Sequence, residues 1–175
     1  MDYFIMQTNP KLSYLAKLKD WQKSLQDNPI PNELAVVPIR TRCIFVEEKS
    51  SNEYPDYFDK PITLIADRLK NVITMYQKDI DLRPVVLIEQ KADRQEIYHL
   101  IDAPVIDCAS STSKLDHTGK IKELVLDRDK IGNQKIFHVL DFYRHLIVRL
   151  DVAESILRRN SYGIEFQKIQ LEEIK

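Results

Sequence analysis

The chain has 175 residues, 43% of them apolar and 30% charged, with only three glycines: the mix of a globular protein with one core of ordinary size and little room for disordered linkers. Its 26 basic residues nearly cancel 27 acidic ones, so no overall field steers it to nucleic acid or to an anionic membrane. The start "MDYFIMQTNP" has an acid at its second position and a short apolar run, unlike a signal peptide, and no apolar run nears the roughly 20 residues that cross a bilayer, so one cytoplasmic domain over residues 1–175 is expected.

In chain order, "DYFIMQ" reads as a first strand, and Asn9 followed by Pro10 as a helix start, because a first-turn proline loses no hydrogen bond. Tyr14, Leu18, Trp21 and Leu25 would share one face of that helix until "QDNPIPNE" ends it. "TRCIFVEE" alternates and is rich in β-branched and aromatic residues, a strand that stops at the polar loop "KSSNEYPDYFDKP". "PITLI" is a short strand, "ADRLKNVITMYQKDI" sets Leu69, Val72, Ile73 and Tyr76 on one helical face, and "VVLIEQ" and "EIYHLID" flank "KADRQ" as a β-hairpin. "VIDCA" is a short strand before a Ser/Thr-rich loop. "IKELVLD", "KIFHVLDF" and "HLIVRL" supply three more strands, the first two separated by "RDKIGNQ" with its Gly-Asn turn. The expected class is α+β: a mixed, largely antiparallel sheet with about three helices.

Laying "ITLIADRLKNVI" from Ile62 over "LIVRLDVAESIL" from Leu146 matches Asp67 with Asp151, Leu69 with Ala153, Val72 with Ile156 and Ile73 with Leu157. A strand-helix-strand unit therefore occurs twice, with an acid where a helix needs a cap. Asp151 and Glu154 have the spacing of a capping box, Arg158 and Arg159 fall at the opposite helix end, and Gly163 suits a left-handed turn into "IEFQKI".

Reactive arrangements are sparse. Cys43 and Cys108 are far apart and read as reduced, buried thiols, and Cys108 beside Asp107, with His99 and His138 in neighbouring strands, sketches a thiol nucleophile with a base. The plainer reading is an inert buried cysteine and satisfied histidines, and His117 and His145 add no metal-ligand spacing. "LDRDK" lacks the glycine and glutamate of a calcium loop. Arg144, Arg149, Arg158 and Arg159, interleaved with Tyr143 and Tyr162, form the densest basic group, but local structure accounts for them more simply than a nucleic acid. Three isolated glycines make no phosphate loop. No catalytic, cofactor-binding or metal-binding residue is assigned, and no cofactor is expected.

"ITLIADRLKNVI", "IYHLIDAPVIDCASSTSK" and "FHVLDFYRHLIVRLDVAESILRRNSYGIEFQKI" together resemble a family of bacterial immunity proteins from polymorphic toxin systems, once a domain of unknown function. The resemblance spans roughly residues 58 to 169 and is weaker over residues 1–57. In such sequences a small polar residue, often Ser, opens both helices; here Asp67 and Asp151 stand there. The resemblance implies a non-enzymatic protein that protects its producer by binding a cognate toxin encoded nearby. The alternatives are a small hydrolase or transferase, or a structural interaction module.

For a partner surface, "EEKSSNEYPDYFD" surrounds Tyr54, Tyr57 and Phe58 with Glu47, Glu48, Glu53, Asp56 and Asp59, opposed by Lys49 alone. Aromatic anchors among acids suit a basic protein partner. The ordinary reading is a solvated loop whose aromatic residues turn inward. "SSTSKLDHTGK" is the second candidate loop.

Overall fold

Short alternating runs become fourteen strands in a computed structural model that describes residues 1–26, 42–49, 51–142 and 145–172. In chain order these are β1 (Tyr3–Thr8), α1 (Trp21–Gln26), β2 (Arg42–Phe45), β3 (Tyr57–Phe58), β4 (Leu64–Ala66), a 3-10 turn (Asp67–Leu69) running into α2 (Lys70–Tyr76), β5 (Asp81–Glu89) and β6 (Arg94–Asp102). There follow β7 (Val105–Ile106), β8 (Lys114–Leu115), β9 (Ile121–Glu123), β10 (Val125–Leu126), α3 (Arg128–Ile131), β11 (Ile136–Val139), β12 (Leu146–Arg149), α4 (Leu150–Leu157), β13 (Ile164–Lys168) and β14 (Gln170–Leu171). The class is mixed α+β and strand-rich, as expected. Four α-helices are present among the described residues instead of three, and only α2 and α4 reach seven residues.

Strand pairing is largely antiparallel but divides between two five-stranded sheets, in the orders β13-β1-β12-β11-β7 and β2-β5-β6-β4-β3, with two further two-stranded pairs. The repeated unit takes the same form in each large sheet. β4 and β5 lie on either side of β6 and both run antiparallel to it, while β12 and β13 do the same around β1. In both cases a strand leads through a helix to a second strand parallel to the first, and a strand from outside the unit lies between them. The two helices meet in one core. Leu69, Val72 and Ile73 pack with Val152, Ala153 and Ile156, with Met6, Leu146 and Val148 of one sheet, and with Tyr57, Ile65 and Ile101 of the other.

The long N-terminal helix does not form. Residues 10–20 are irregular, and only Trp21–Gln26 is helical. Leu15 and Leu18 instead form isolated bridges to Glu53 and Val46, and the backbone donors of Ala16 and Lys19 go to Glu53 and Phe45. Pairing along the second sheet satisfies these groups before a helix can, and Asp20, at φ 45°, breaks the run. Tyr14 is consequently 55% exposed, not buried on a stripe. "QDNPIPNE" falls outside the described residues apart from Gln26.

Smaller differences follow from short elements. "VIDCA" forms a strand only at Val105–Ile106, with Ala109 in an isolated bridge to Leu126, "IKELVLD" divides into β9 and β10, and the Ser/Thr-rich loop holds β8. "RDKIGNQ" begins with α3, capped by the Asp127 carboxylate, which accepts from the backbone N–H of Asp129 at 3.1 Å.

The capping roles given to Asp67, Asp151 and Glu154 are also corrected. Asp151 takes both Nε and Nη2 of Arg149, at 2.8 and 2.7 Å, and Glu154 pairs with Arg158 one turn later. Asp67 meets Nε2 of His99 at 2.7 Å. An arginine or a histidine takes most of the bonding capacity of each carboxylate, although Asp67 and Asp151 still sit in a first helical turn and Asp151 Oδ1 also accepts the backbone N–H of Val152 at 3.1 Å. Arg159 does serve the helix end, donating to the Ser155 carbonyl at 2.7 Å. Gly163 takes its left-handed turn, at φ 69°, and a Cβ there would come within 2.5 Å of the Pro55 Cβ.

Candidate partner-binding surface

The acid and aromatic loop is divided by burial. Tyr57 and Phe58 form β3 at the end of the second sheet and are 0% exposed, while Asp56 is 5% exposed. These three are corrected from surface anchors to parts of the core. The cause is strand pairing: Tyr57 lies opposite Ile65 and Phe58 opposite Leu64, which turns one ring to each face of the sheet. Phe58 packs edge-on against Tyr98 with centroids 5.4 Å apart. Asp59 is half-buried and close to the Thr8 hydroxyl, 2.8 Å from its Oδ1, which joins the two sheets.

Asp56 performs the same task. Its carboxylate accepts from Nε of Arg68 at 2.6 Å, from Nη2 of Arg68 and from the backbone N–H of Tyr162. Arg68 reaches on to the carbonyls of Arg159 and Asn160, at 2.9 and 3.2 Å, just past α4. One strand-helix-strand unit is thereby fastened to the other by a charge-assisted fork.

Tyr54 is held at a second fixed point, the carboxylate of Glu89. Glu89 is 4% exposed and accepts the Tyr54 hydroxyl and the Asn52 side-chain amide, each at 2.7 Å. Arg94 lies over the Tyr54 ring at 4.1 Å. Burial raises the Tyr54 hydroxyl pKa and the adjacent Glu89 raises it further, so this group remains a proton donor. Glu48 is exposed and pairs with Lys91 at 2.6 Å, while Glu47 is held through its backbone by Lys17 and Asn52.

The surface that remains centres on Glu53. One carboxylate oxygen accepts the Tyr162 hydroxyl at 2.7 Å and the other accepts the backbone N–H of Tyr14 at 2.8 Å. The hydroxyl bond, and then the backbone bond, lower the Glu53 pKa, so it stays ionised. Tyr14 and Tyr162 are 55% and 46% exposed. An exposed tyrosine bonded to a fixed negative charge through its hydroxyl, and a second exposed tyrosine bonded to it through its backbone, are suited to a protein contact. Nothing local in the sequence marks this group, since Tyr14 and Tyr162 lie 39 and 109 positions from Glu53.

The second candidate loop is a small hairpin in which Asp116 accepts from the backbone of Thr118 and Lys120. Beside it is an open groove of about 940 Å³ whose lysines are already paired, Lys114 with Glu123 and Lys168 with Asp2. In the basic group, Arg149 and Arg158 are likewise engaged by Asp151 and Glu154, and Tyr143 and Arg144 lie outside the described residues.

Cys43, expected to be buried, is exposed on β2, whereas Cys108 is 0% exposed and burial pushes its thiol up to about 11, so it is protonated and shielded at neutral pH. His99 belongs to the second sheet and is engaged by Asp67, while His138 belongs to the first and meets the carbonyl of His145 at 3.0 Å. Among the described residues no group of three or more His, Cys, Asp or Glu could hold a metal ion, and no helix is long and apolar enough to cross a membrane.

Burial lowers the His138 pKa below its ordinary value, against smaller opposing effects from His145 and Asp102. The unfolded chain therefore binds a proton at this position before the folded one does, and stability falls as pH drops below the unfolded value of about 6.5. Urea unfolding at pH 7.5 and 5.5 should show His138→Gln losing less stability over that interval than the parent chain. Equal losses would remove His138 from the pH response.

A family model described as an immunity protein family, Imm11, matches residues 12–171. The match takes in most of the N-terminal third, where the sequence resemblance is weaker. A comparison with curated proteins finds no match.

Proposed function

We propose a function from one fact: the chain belongs to the immunity protein family Imm11. It neutralises a cognate bacterial toxin, encoded nearby, by stoichiometric binding in the producer's cytoplasm, without turnover or cofactor. The observation that carries the contact surface is the exposed pair Tyr14 and Tyr162, both bonded to the ionised Glu53. Glu48 and the accessible part of Tyr54 extend it along the same loop. A basic patch on the toxin would meet Glu53 while the rings exclude water around the contact, which favours both rapid encounter and slow release.

Co-expression with the neighbouring toxin gene tests this directly. The chain should keep the cells alive and co-purify with the toxin in equal amounts. Tyr14→Ala combined with Tyr162→Ala should weaken the complex at least about ten-fold, with the thermal midpoint nearly unchanged because both rings are exposed. Absence of any complex would overturn the function. A complex unaffected by the double substitution would overturn the surface alone.

A further inference from the structure

Two tyrosine hydroxyls donate to glutamates in this chain, and only one of the two pairs is accompanied by an arginine. Tyr54 donates to Glu89 at 2.7 Å, and the Arg94 guanidinium lies over the Tyr54 ring, 4.1 Å from its centroid, while bonding Glu96 at 2.8 Å. Tyr162 donates to Glu53, also at 2.7 Å, one position along the loop from Tyr54. Among the described residues no lysine or arginine lies over the Tyr162 ring or pairs with Glu53. Other acids of this region are each met by a cation of the chain itself: Glu48 by Lys91, Asp56 by Arg68 and Glu96 by Arg94. Glu53 is nonetheless held in place. Its backbone N–H donates to the Tyr14 carbonyl at 2.8 Å, its carbonyl accepts from Ala16 at 3.0 Å, and each carboxylate oxygen accepts one donor. A carboxylate oxygen can accept two hydrogen bonds, so each retains capacity for one more. Glu53 is half-buried and Tyr162 46% exposed, so a partner can reach both.

From this contrast we infer that Tyr162 and Glu53 form a receptor for one arginine side chain of the partner protein, its guanidinium against the Tyr162 ring and its N–H groups on the Glu53 oxygens. For the identity of the partner this rests on the toxin-binding reading, and it adds that one arginine, not any basic patch, is selected. A guanidinium is planar and stacks on a tyrosine ring, as Arg94 does on Tyr54. Its donors form a fork that matches the two oxygens of a carboxylate, whereas the ammonium of a lysine is a compact point charge that holds its water more tightly. Because Glu53 is fixed before the partner arrives, little ordering is needed on contact.

Titration of the purified full chain with propylguanidinium and with butylammonium, followed by the Tyr162 ring signals in nuclear magnetic resonance, tests the receptor without a toxin. Propylguanidinium should shift those signals saturably, and butylammonium should bind at least about five-fold more weakly. Glu53→Gln should abolish the saturable shift, and Tyr162→Phe, which keeps the ring but not its bond to the carboxylate, should weaken it, with the thermal midpoint of each variant showing that it is folded. In the co-expressed toxin complex, changing one toxin arginine to lysine should weaken binding at least about ten-fold, and Glu53→Gln in this chain should erase that difference. No saturable shift, or an equal response to the two cations, would overturn the inference. So would a toxin complex in which no arginine-to-lysine change is coupled to Glu53. A selective guanidinium response without any toxin complex would overturn the toxin reading and leave the arginine receptor standing.

Discussion

Replacing Tyr57 by alanine is expected to cost about 3–5 kcal/mol, in the range for large aromatic side chains deleted from a core. The ring is 0% exposed and packs with residues of both large sheets and with the helices between them, so no single element can move in to fill the gap. For a domain of this size the thermal midpoint should drop by roughly 6–20 °C. Tyr57→Phe separates the ring from its hydroxyl. That hydroxyl lies near Thr63 and Leu146 but is buried without a hydrogen bond of normal geometry. Removing it should leave stability within about 1 kcal/mol or raise it. Calorimetry of the two variants gives the comparison, and a small loss for Tyr57→Ala would mean that the ring is not enclosed as described. The result also bears on recognition. A double substitution of Tyr54 and Tyr57 would weaken any partner complex through misfolding, so Tyr14 and Tyr162 are the cleaner probes.

Legibility in the sequence followed the length of each element. The hairpin of β5 and β6 and the face of α2 carry periods long enough to be unambiguous, and both formed as expected. The repeated unit was legible for the same reason. Its split form was not, because nothing within residues 62–89 shows that β6 will lie between β4 and β5, or within residues 146–168 that β1 will lie between β12 and β13. Residues 10–20 failed differently: their apolar spacing fits a helix, but pairing with residues 45–53 offered their backbone groups another partner. In the acid and aromatic loop, composition did not tell the buried Asp56, Tyr57 and Phe58 from the more accessible Glu48, Glu53 and Tyr54. A two-residue strand has no period to read, so the burial of Tyr57 and Phe58 depended on a partner strand that composition does not identify.

Substitution of Asp56 by alanine should show how closely folding and recognition are joined. The carboxylate is a buried acceptor shared by Arg68 and by the backbone of Tyr162, and the Asp56 backbone N–H donates to the Tyr162 carbonyl at 2.9 Å. Deleting it strands the Tyr162 N–H and releases the arginine. Because the Arg68 side chain is 46% exposed, water can take over part of its hydration, and the cost falls below that of breaking a fully buried pair. A loss of about 2–3 kcal/mol, or roughly 4–12 °C in thermal midpoint, is expected. Asp56→Asn keeps one acceptor and should lose less. The effect on toxin binding should exceed that on folding: the fork fixes the backbone at Tyr162, and the Tyr162 hydroxyl in turn fixes Glu53. Under conditions where Asp56→Ala is still fully folded, the complex should already be weaker, because the rings and the charge no longer start from one arrangement and must be ordered on binding. Binding equal to the parent chain in that folded window would show that the latch serves stability alone.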